Sequence, residues 1–511
     1  MANGLVRLLI YSLGVLSIAN RASGDAPSFQ SILANDNIEV HVAGQAGYQN
    51  ASRAFNLRLQ LQPAAIAYPG SVEEVSDLVK AGASLGIPVS ARSGGHSHAA
   101  YGLGGTDGHL VVDLAHLNDI EVDNSTGIAM IGTGSRLGDI AIRLFNQGGR
   151  ALPHGVCPLV GIGGHASHGG YGFNSRLWGL TMDNIIGATV VLANGSIVEA
   201  SATQHPDLFW AVRGAAPSFG IVTHFQFQTF VAPTQPTYFS YNWSLPLDQS
   251  IEAISLYQDF SFAPSIPKEI GFELNLYKGV EQGEILLNFL GSYYGNPDEY
   301  DAIVKPFLDV MPNPTFSPQV EVTTWLENME LLAGPGVPLA STPTSIAANH
   351  DSHYTKSLTT PSDMPMSQEA ITALASWMSA EGWRTKTYWF VQLELYGGNG
   401  SQIDAMLSNA TAYANRNALW ILQLRASSPT HLPPYPEEGF AFVDGLVNSI
   451  TTNVPDKYQY GAYPNYVDPR LTPKEWHKLY YGTNYRRLRK IKTQVDPNGV
   501  FTFPQSIPPL Q

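Results

Sequence analysis

The chain has 511 residues, 44% of them apolar, which is enough to fill two substantial cores and excludes a single small domain. Its 28 basic residues against 42 acidic ones give a net charge of −14, which opposes phosphate backbones and anionic membranes, so no nucleic-acid partner is expected. One cysteine, Cys157, excludes any intramolecular disulfide.

In chain order, Met1 to Arg7 carry one positive charge ahead of the apolar run Leu8 to Ala19, and the small residues Ala22-Ser23-Gly24 follow. This pattern predicts a secretory signal peptide over residues 1–24. The alternative, a membrane anchor, needs roughly 20 apolar residues, more than this run supplies. Six Asn-x-Ser/Thr sequons begin at Asn50, Asn124, Asn194, Asn242, Asn399 and Asn409, and a secreted chain could carry glycans there.

Ile66-Ala67-Tyr68-Pro69 is a predicted strand, and Ser71-Val72-Glu73-Glu74 a capping box opening a helix whose apolar face holds Val72, Val75, Leu78 and Val79. Ile87 to Ala91 completes a βαβ-like unit that runs into a glycine-rich loop, Arg92 to Gly102. Glycines there let the backbone approach a ligand and offer N–H groups to phosphate oxygens. Cys157 follows and, by itself, is open to four readings: an inert buried thiol, a nucleophile, an intermolecular link or an attachment site. A second glycine-rich stretch, Gly161 to Gly172, comes almost directly after it, and two such loops suit one bracketed ligand. Strands at Ala188–Leu192 and Ser196–Ala200 flank Asn194-Gly195, whose positive φ angles would close a tight hairpin. The Pro- and Thr-rich stretch from Thr229 to Pro236 marks a domain boundary. Beyond it, Gly271–Tyr277 and Tyr388–Tyr396 are predicted strands and Ser367–Ala380 a helix, which suggests an antiparallel sheet with helices on one face. Pro473 to Val495 is a predicted helix with Arg486, Arg487, Arg489, Lys490 and Lys492 toward its C-terminal end.

Pro153-His154-Gly155-Val156-Cys157-Pro158 continuing through Gly161-Ile162-Gly163-Gly164-His165, together with Arg92-Ser93-Gly94-Gly95-His96-Ser97, resembles the FAD-linked oxidases of the vanillyl-alcohol oxidase type. Within them the chain is similar to the berberine-bridge-like branch and, most of all, to the gluco-, chito- and xylooligosaccharide oxidases of fungi. The likeness extends through Leu208–Gly214, Phe219–Val222, Tyr435–Phe440 and Pro464–Asp468. It implies an α+β fold: a PCMH-type FAD-binding domain of two subdomains, built from residues 25–232 and a C-terminal segment 453–511. This domain clasps a substrate domain, residues 233–452, with an antiparallel sheet flanked by helices.

The resemblance implies FAD on two covalent tethers, His96 to the C8-methyl carbon (8α-histidyl) and Cys157 to C6 (6-S-cysteinyl). It also implies cofactor contacts from Arg92, Ser93, Gly94, Gly95, Ser97, Gly161, Gly164, His165, Gly170, Gly220, Val222 and Asn465, with Val160 gating oxygen access and no metal. A tyrosine, with a free pKa of about 10, needs environmental help to act as a base near neutrality. By family likeness Tyr466 is that base and Glu394, just before Gly397-Gly398, its helper. Phe390, Gln392 and Gln423 match sugar-groove positions, Asn275 a position that varies with substrate, and His98 replaces a tyrosine of the glucose-preferring relatives.

The expected activity is that of a secreted, monomeric oxidase. It converts the reducing-end C1 hydroxyl of an oligosaccharide to a lactone, then an aldonic acid, while O2 becomes H2O2. Two rivals are a berberine-bridge-like oxidase of an alkaloid or other secondary metabolite, and a sugar-binding flavoprotein without catalysis.

Overall fold

The computed structural model describes residues 38–510; the leader expected over residues 1–24 lies outside them. The first layer is a four-stranded sheet of β1 (Glu39–His41), β2 (Ala65–Tyr68), β3 (Val89–Arg92) and β4 (Leu110–Asp113) in the order β1-β2-β4-β3. β2, β4 and β3 run parallel, as a helical crossover from Val72 to Leu85 requires. That helix starts where Ser71 Oγ accepts the N–H of Glu74 at 3.2 Å. The capping box is one-sided, because the Glu74 carboxylate reaches past Ser71 to the N–H of Gly70.

A second sheet, fully antiparallel, contains β5 (Ile120–Asp123), β6 (Ile128–Gly132), β8 (Ile185–Val191), β9 (Ile197–Ser201) and β10 (Ile221–Gln228) in the order β5-β6-β10-β8-β9; β7 (Arg150–Ala151) pairs separately with β11 (Phe230–Val231). The β8–β9 hairpin closes over Ala193-Asn194-Gly195, with the N–H of Leu192 on Ser196 O at 2.9 Å, but of the Asn-Gly pair only Gly195 has positive φ (80°), while the Asn194 side chain accepts the N–H of Ser196.

The third layer is a seven-stranded antiparallel sheet of β12 (Thr237–Leu245), β13 (Ile270–Lys278), β14 (Ile285–Tyr293), β15 (Phe316–Val322), β16 (His353–Pro361), β17 (Tyr388–Leu395) and β18 (Ala418–Ser427), ordered β15-β12-β14-β13-β17-β18-β16. Alternation along each strand decides what faces where. Phe272, Leu274, Leu276, Val391, Leu393, Leu422 and Leu424 turn toward the helices Leu247–Ser261, Gln368–Arg384 and Glu437–Thr451 and form one core with them. The intervening residues, polar where the core residues are apolar, face the other way. They become the floor of the site.

The stretch expected as one helix, Pro473 to Val495, is broken into Pro473–Trp476, a π turn at His477–Tyr481, a 3-10 turn at Gly482–Asn484 and a helix at Tyr485–Val495. The carbonyl of Leu479 is taken by the N–H of Ala462 and the amide of Asn415, and Gly482 has a φ of 48°, so a regular helix cannot run through. Two buried cations hold the layers together. Arg176 donates to the carbonyls of Gly397, Pro267, Ile270 and Asn399, joining the second Gly loop's neighbourhood to the seven-stranded sheet. Lys492 donates to Ser218 O, Phe501 O and Asp496, joining the C-terminal helix to the turn before β10. No helix among the described residues is long and apolar enough to cross a membrane. Five of the sequon asparagines are exposed, whereas Asn242 is half-buried on β12.

Candidate active site

Register sets the floor. Glu273 faces Glu394 across β13 and β17, Asn275 faces Gln392, and across β17 and β18 Gln392 faces Gln423 while Phe390 faces Arg425. Two further loops close over this floor. The turn Pro464–Tyr466 brings the Tyr466 hydroxyl to Glu394, to which it donates at 2.6 Å. Tyr463 packs edge-on against Tyr466, with ring centroids 4.9 Å apart. Its hydroxyl accepts from the N–H groups of Gly170 and Tyr171 and from Asn465 Nδ2, which fixes the turn to the second glycine loop.

The two glycine loops touch backbone to backbone. A Cβ on Gly94 would lie 2.3 Å from Gly161 N, and one on Gly161 would lie 2.0 Å from Gly94 N, so neither position admits a side chain. Arg136 donates to Leu159 O and Gly94 O and so clamps both loops. Beside them opens a cavity of about 470 Å³. Its walls include Ser93, Gly94, Gly95, His96, Ser97, His98, Cys157, Val160, Gly161, Gly164, His165, Gly220, Val222 and Asn465, its floor Gln392, Glu394 and Gln423, and Tyr466 reaches in from the closing turn. Four expected residues stand outside it. The Arg92 guanidinium is occupied by Asp113, Ala51 O and Tyr68. Gly170 is packed against Thr181. Asn275, beside Gln392 in register, is buried with its amide on Glu273, and Phe390 lies further along β17 near Tyr277.

Electrostatically the site is built around buried carboxylates. Burial pushes Glu394 well above the usual carboxylate range, the facing Glu273 pushes it further, and the Tyr466 hydrogen bond pulls it back. Glu273 is itself raised to about 7 by burial, against amide hydrogen bonds from Asn275 and Gln392. Tyr466 is pushed well above 10 by burial and by the Glu394 charge, so it is the donor in their hydrogen bond. One oxygen of Glu394, Oε2, is buried and has no partner among the described residues.

Glu273 was absent from the residues expected from sequence. Its signal was available, since it lies two residues before Asn275 in a strand whose other side is apolar. His353, Arg425 and Phe55 also border the site and carried no comparable signal.

His96 and Cys157 share the cavity. The His96 ring stacks on Phe55 with centroids 4.5 Å apart, and burial lowers its pKa to about 3, so it is neutral. Asn349 occupies Nε2 at 2.6 Å, which leaves Nδ1 without a protein partner among the described residues. Cys157 is a free thiol exposed on the cavity wall, raised by burial and partly offset by the N–H groups of Leu159 and Val160. The set fits a flavin dinucleotide. Gly164 leaves open space where a Cβ would stand, backbone donors line one wall, and Tyr101 OH and Gln505 Oε1 are buried beside the cavity without partners among the described residues.

Comparison with known proteins agrees with this geometry. Residues 63–201 match the FAD binding domain family and residues 462–508 the berberine and berberine-like family. The chain is 36% identical to a carbohydrate oxidase of Microdochium nivale over 98% of this chain and 99% of that protein. A solved xylooligosaccharide oxidase from Myceliophthora thermophila, in complex with xylobiose, superposes with a TM-score of 0.85 at 35% identity, covering 94% of this chain and 99% of the other. The glucooligosaccharide oxidase of Acremonium strictum, described with 6-S-cysteinyl, 8α-N1-histidyl FAD, gives a TM-score of 0.85 at 36% identity over 94% of this chain and 99% of its own.

Proposed function

The chain belongs to the FAD-linked oligosaccharide oxidases, and from that premise we propose that it oxidises the reducing-end C1 hydroxyl of an oligosaccharide to a lactone, with oxygen as the electron acceptor. The observation that carries this reading is the 2.6 Å Tyr466–Glu394 hydrogen bond beside Gln392 and Gln423, in the same cavity as His96 and Cys157. Neutral amides suit sugar hydroxyls, which both donate and accept. Anaerobic mixing with cello-, xylo-, chito- and malto-oligosaccharides tests it. At least one series should bleach the flavin absorbance; if none does, the proposed substrate class is wrong.

Bound in this cavity, FAD would supply the two-electron sink for the C1 hydride and pass the electrons to oxygen, giving hydrogen peroxide. The protein moves the proton. Tyr466 is too weak an acid to wait as a tyrosinate, so we propose that it accepts the C1 hydroxyl proton while its own proton passes to Glu394 Oε1. A raised Glu394 pKa makes that carboxylate the better acceptor, provided it begins deprotonated. As the O–H bond breaks, its electron pair forms the lactone carbonyl, and water later opens the lactone to an aldonic acid.

This relay sets a pH prediction with a definite sign. Activity needs charged Glu394, so it rises with pH through the pKa of that group. Glu273 raises that pKa by charge repulsion. In Glu273→Gln the repulsion is gone, Glu394 ionises at lower pH, and the acid limb of the reduction rate should move to lower pH. An unmoved or opposite limb would exclude this coupling.

We further propose that His96, through Nδ1, and Cys157, through Sγ, each bond FAD. Support comes from their shared cavity and from Asn349, which leaves Nδ1 free. FAD should stay with acid-precipitated protein in the wild type and in either single Ala variant, and leave in the double variant. Complete release from the wild type would refute both links.

A further inference from the structure

His353, Arg425 and Asp351 lie beside the Tyr466 pocket and take no part in the proton relay. They form a chain of hydrogen bonds with His98. His98 Nδ1 is 2.9 Å from His353 Nε2, and the two rings stand nearly perpendicular, at 86°. His353 Nδ1 is 3.2 Å from Arg425 Nη2 and 3.5 Å from an oxygen of Asp351.

The direction of this chain follows from one group. A guanidinium has donors and no acceptor, and its 3.2 Å contact is shorter than the 3.5 Å to Asp351, so the geometry makes His353 Nδ1 the acceptor from Arg425. A neutral imidazole that accepts at one nitrogen carries its proton on the other. His353 therefore donates from Nε2, and His98 accepts at Nδ1. By the same rule His98 carries its proton on Nε2. That nitrogen has no protein partner among the described residues, and His98 lines the cavity with its ring 6.2 Å from the ring of Tyr466.

Both rings are held neutral. Burial lowers His353 to about 4, with Arg425 as the next cause and Asp351 opposing. His98 is lowered well below its usual range by burial, then by His353, Arg425 and His96, with Asp351 again opposing. The backbone is fixed too. Asn56 Nδ2 donates to His98 O at 2.8 Å and His353 O at 3.0 Å, its Oδ1 accepts the N–H of His353, and Arg58 Nε donates to His353 O. Phe55 packs against both rings. With the rings pinned, exchanging the protons between nitrogens is the change left open.

Asp351 could drive that exchange, because it competes for the same His353 nitrogen. His353 helps hold Asp351 charged, but Arg425, Ser427 Oγ at 2.5 Å and His431 Nδ1 at 3.0 Å all stand closer to the carboxylate than His353 Nδ1 at 3.5 Å. We propose that Arg425 and His353 are positioning residues that fix His98 as a hydrogen-bond donor to the sugar, so the pocket selects a substrate oxygen that accepts at this point. A tyrosine hydroxyl here would both donate and accept; His98 in this tautomer can only donate. The sugar part of the claim rests on the oligosaccharide reading; the tautomer part does not.

The test uses holoenzyme labelled with 15N-histidine, in which the two ring nitrogens of each histidine are resolved by NMR. Both His98 and His353 should be protonated at Nε2 in the wild type between about pH 5 and 8. In Arg425→Leu, Asp351 is free to take the His353 Nδ1 proton, both tautomers should invert, and KM should rise about tenfold with a smaller fall in kcat. Arg425→Lys keeps a donor and should retain the wild-type pattern. His353→Leu should raise KM similarly, and His353→Gln, whose amide can donate to His98 Nδ1, should restore it. Wild-type His98 protonated at Nδ1, or Arg425→Leu with unchanged tautomers and KM, overturns the proposal. If no oligosaccharide is oxidised by the wild type, the substrate reading fails, while the tautomer measurement still decides the hydrogen-bond chain.

Discussion

Tyr466→Phe is expected to slow flavin reduction by about 10²–10⁴-fold, the range for loss of a positioned general base, while sugar affinity changes little. The phenol donates its single proton to Glu394 and accepts nothing from Glu394, so its oxygen keeps a lone pair for an incoming hydroxyl proton. Phenylalanine keeps the ring against Tyr463 and removes only that oxygen. The loss should therefore fall on the chemical step. Stopped-flow reduction under anaerobic conditions separates the rate from the binding constant. A rate within a few-fold of wild type, with sugar bound normally, would move the base elsewhere. Glu394→Gln should slow reduction by a comparable factor, because the amide oxygen still accepts the Tyr466 hydrogen bond but cannot take its proton, which stops the relay.

The second large effect concerns stability. Lys492→Met should destabilise the fold by about 3 kcal/mol or more, because removing one partner of a buried pair leaves the other charge uncompensated. The side chains of Lys492 and Asp496 are 1% and 0% exposed and meet at 2.6 Å. Asp496 retains the N–H groups of Val500 and Phe501, which keeps the cost nearer the lower bound. Met fills the space of the lysine stem, so cavity formation adds little. Ser218 O and Phe501 O would also lose their donor. Since Phe503 and Gln505 follow directly and line the cavity, loosening this joint should also expose the flavin to solvent. Thermal unfolding followed by flavin fluorescence checks both effects. A midpoint within about 1 °C of wild type would show that the pair contributes nothing net.

Sequence alone determined the elements whose signals are local. The strand-favouring composition of Gly271 to Tyr277 and the aromatic content of Tyr388 to Tyr396 located β13 and β17, because such side chains favour extended backbone within each segment by itself. The motif around Gly94-Gly95-His96 and the one around Cys157 pointed to FAD through their family resemblance, while their glycines by themselves indicated a close backbone approach. Gly94 and Gly161 show that approach in three dimensions. Local signals failed where a distant partner decided the outcome. The helix expected from Pro473 to Val495 breaks because Ala462 and Asn415 claim the carbonyl of Leu479, and neither is visible from within the segment.

The site divides in the same way. Tyr466 and Glu394 were named by resemblance, yet only folding brings residues 72 positions apart to 2.6 Å, and only their shared burial sets which of them holds the proton. Glu273 lay two residues from a named position, but its influence on Glu394 comes from strand register, which neither strand encodes alone. His98 was legible as a substrate-facing change. That it presents a donor depends on His353 and Arg425, more than 250 and 320 residues away, because a histidine tautomer is set by its neighbours' hydrogen bonds and not by its own sequence.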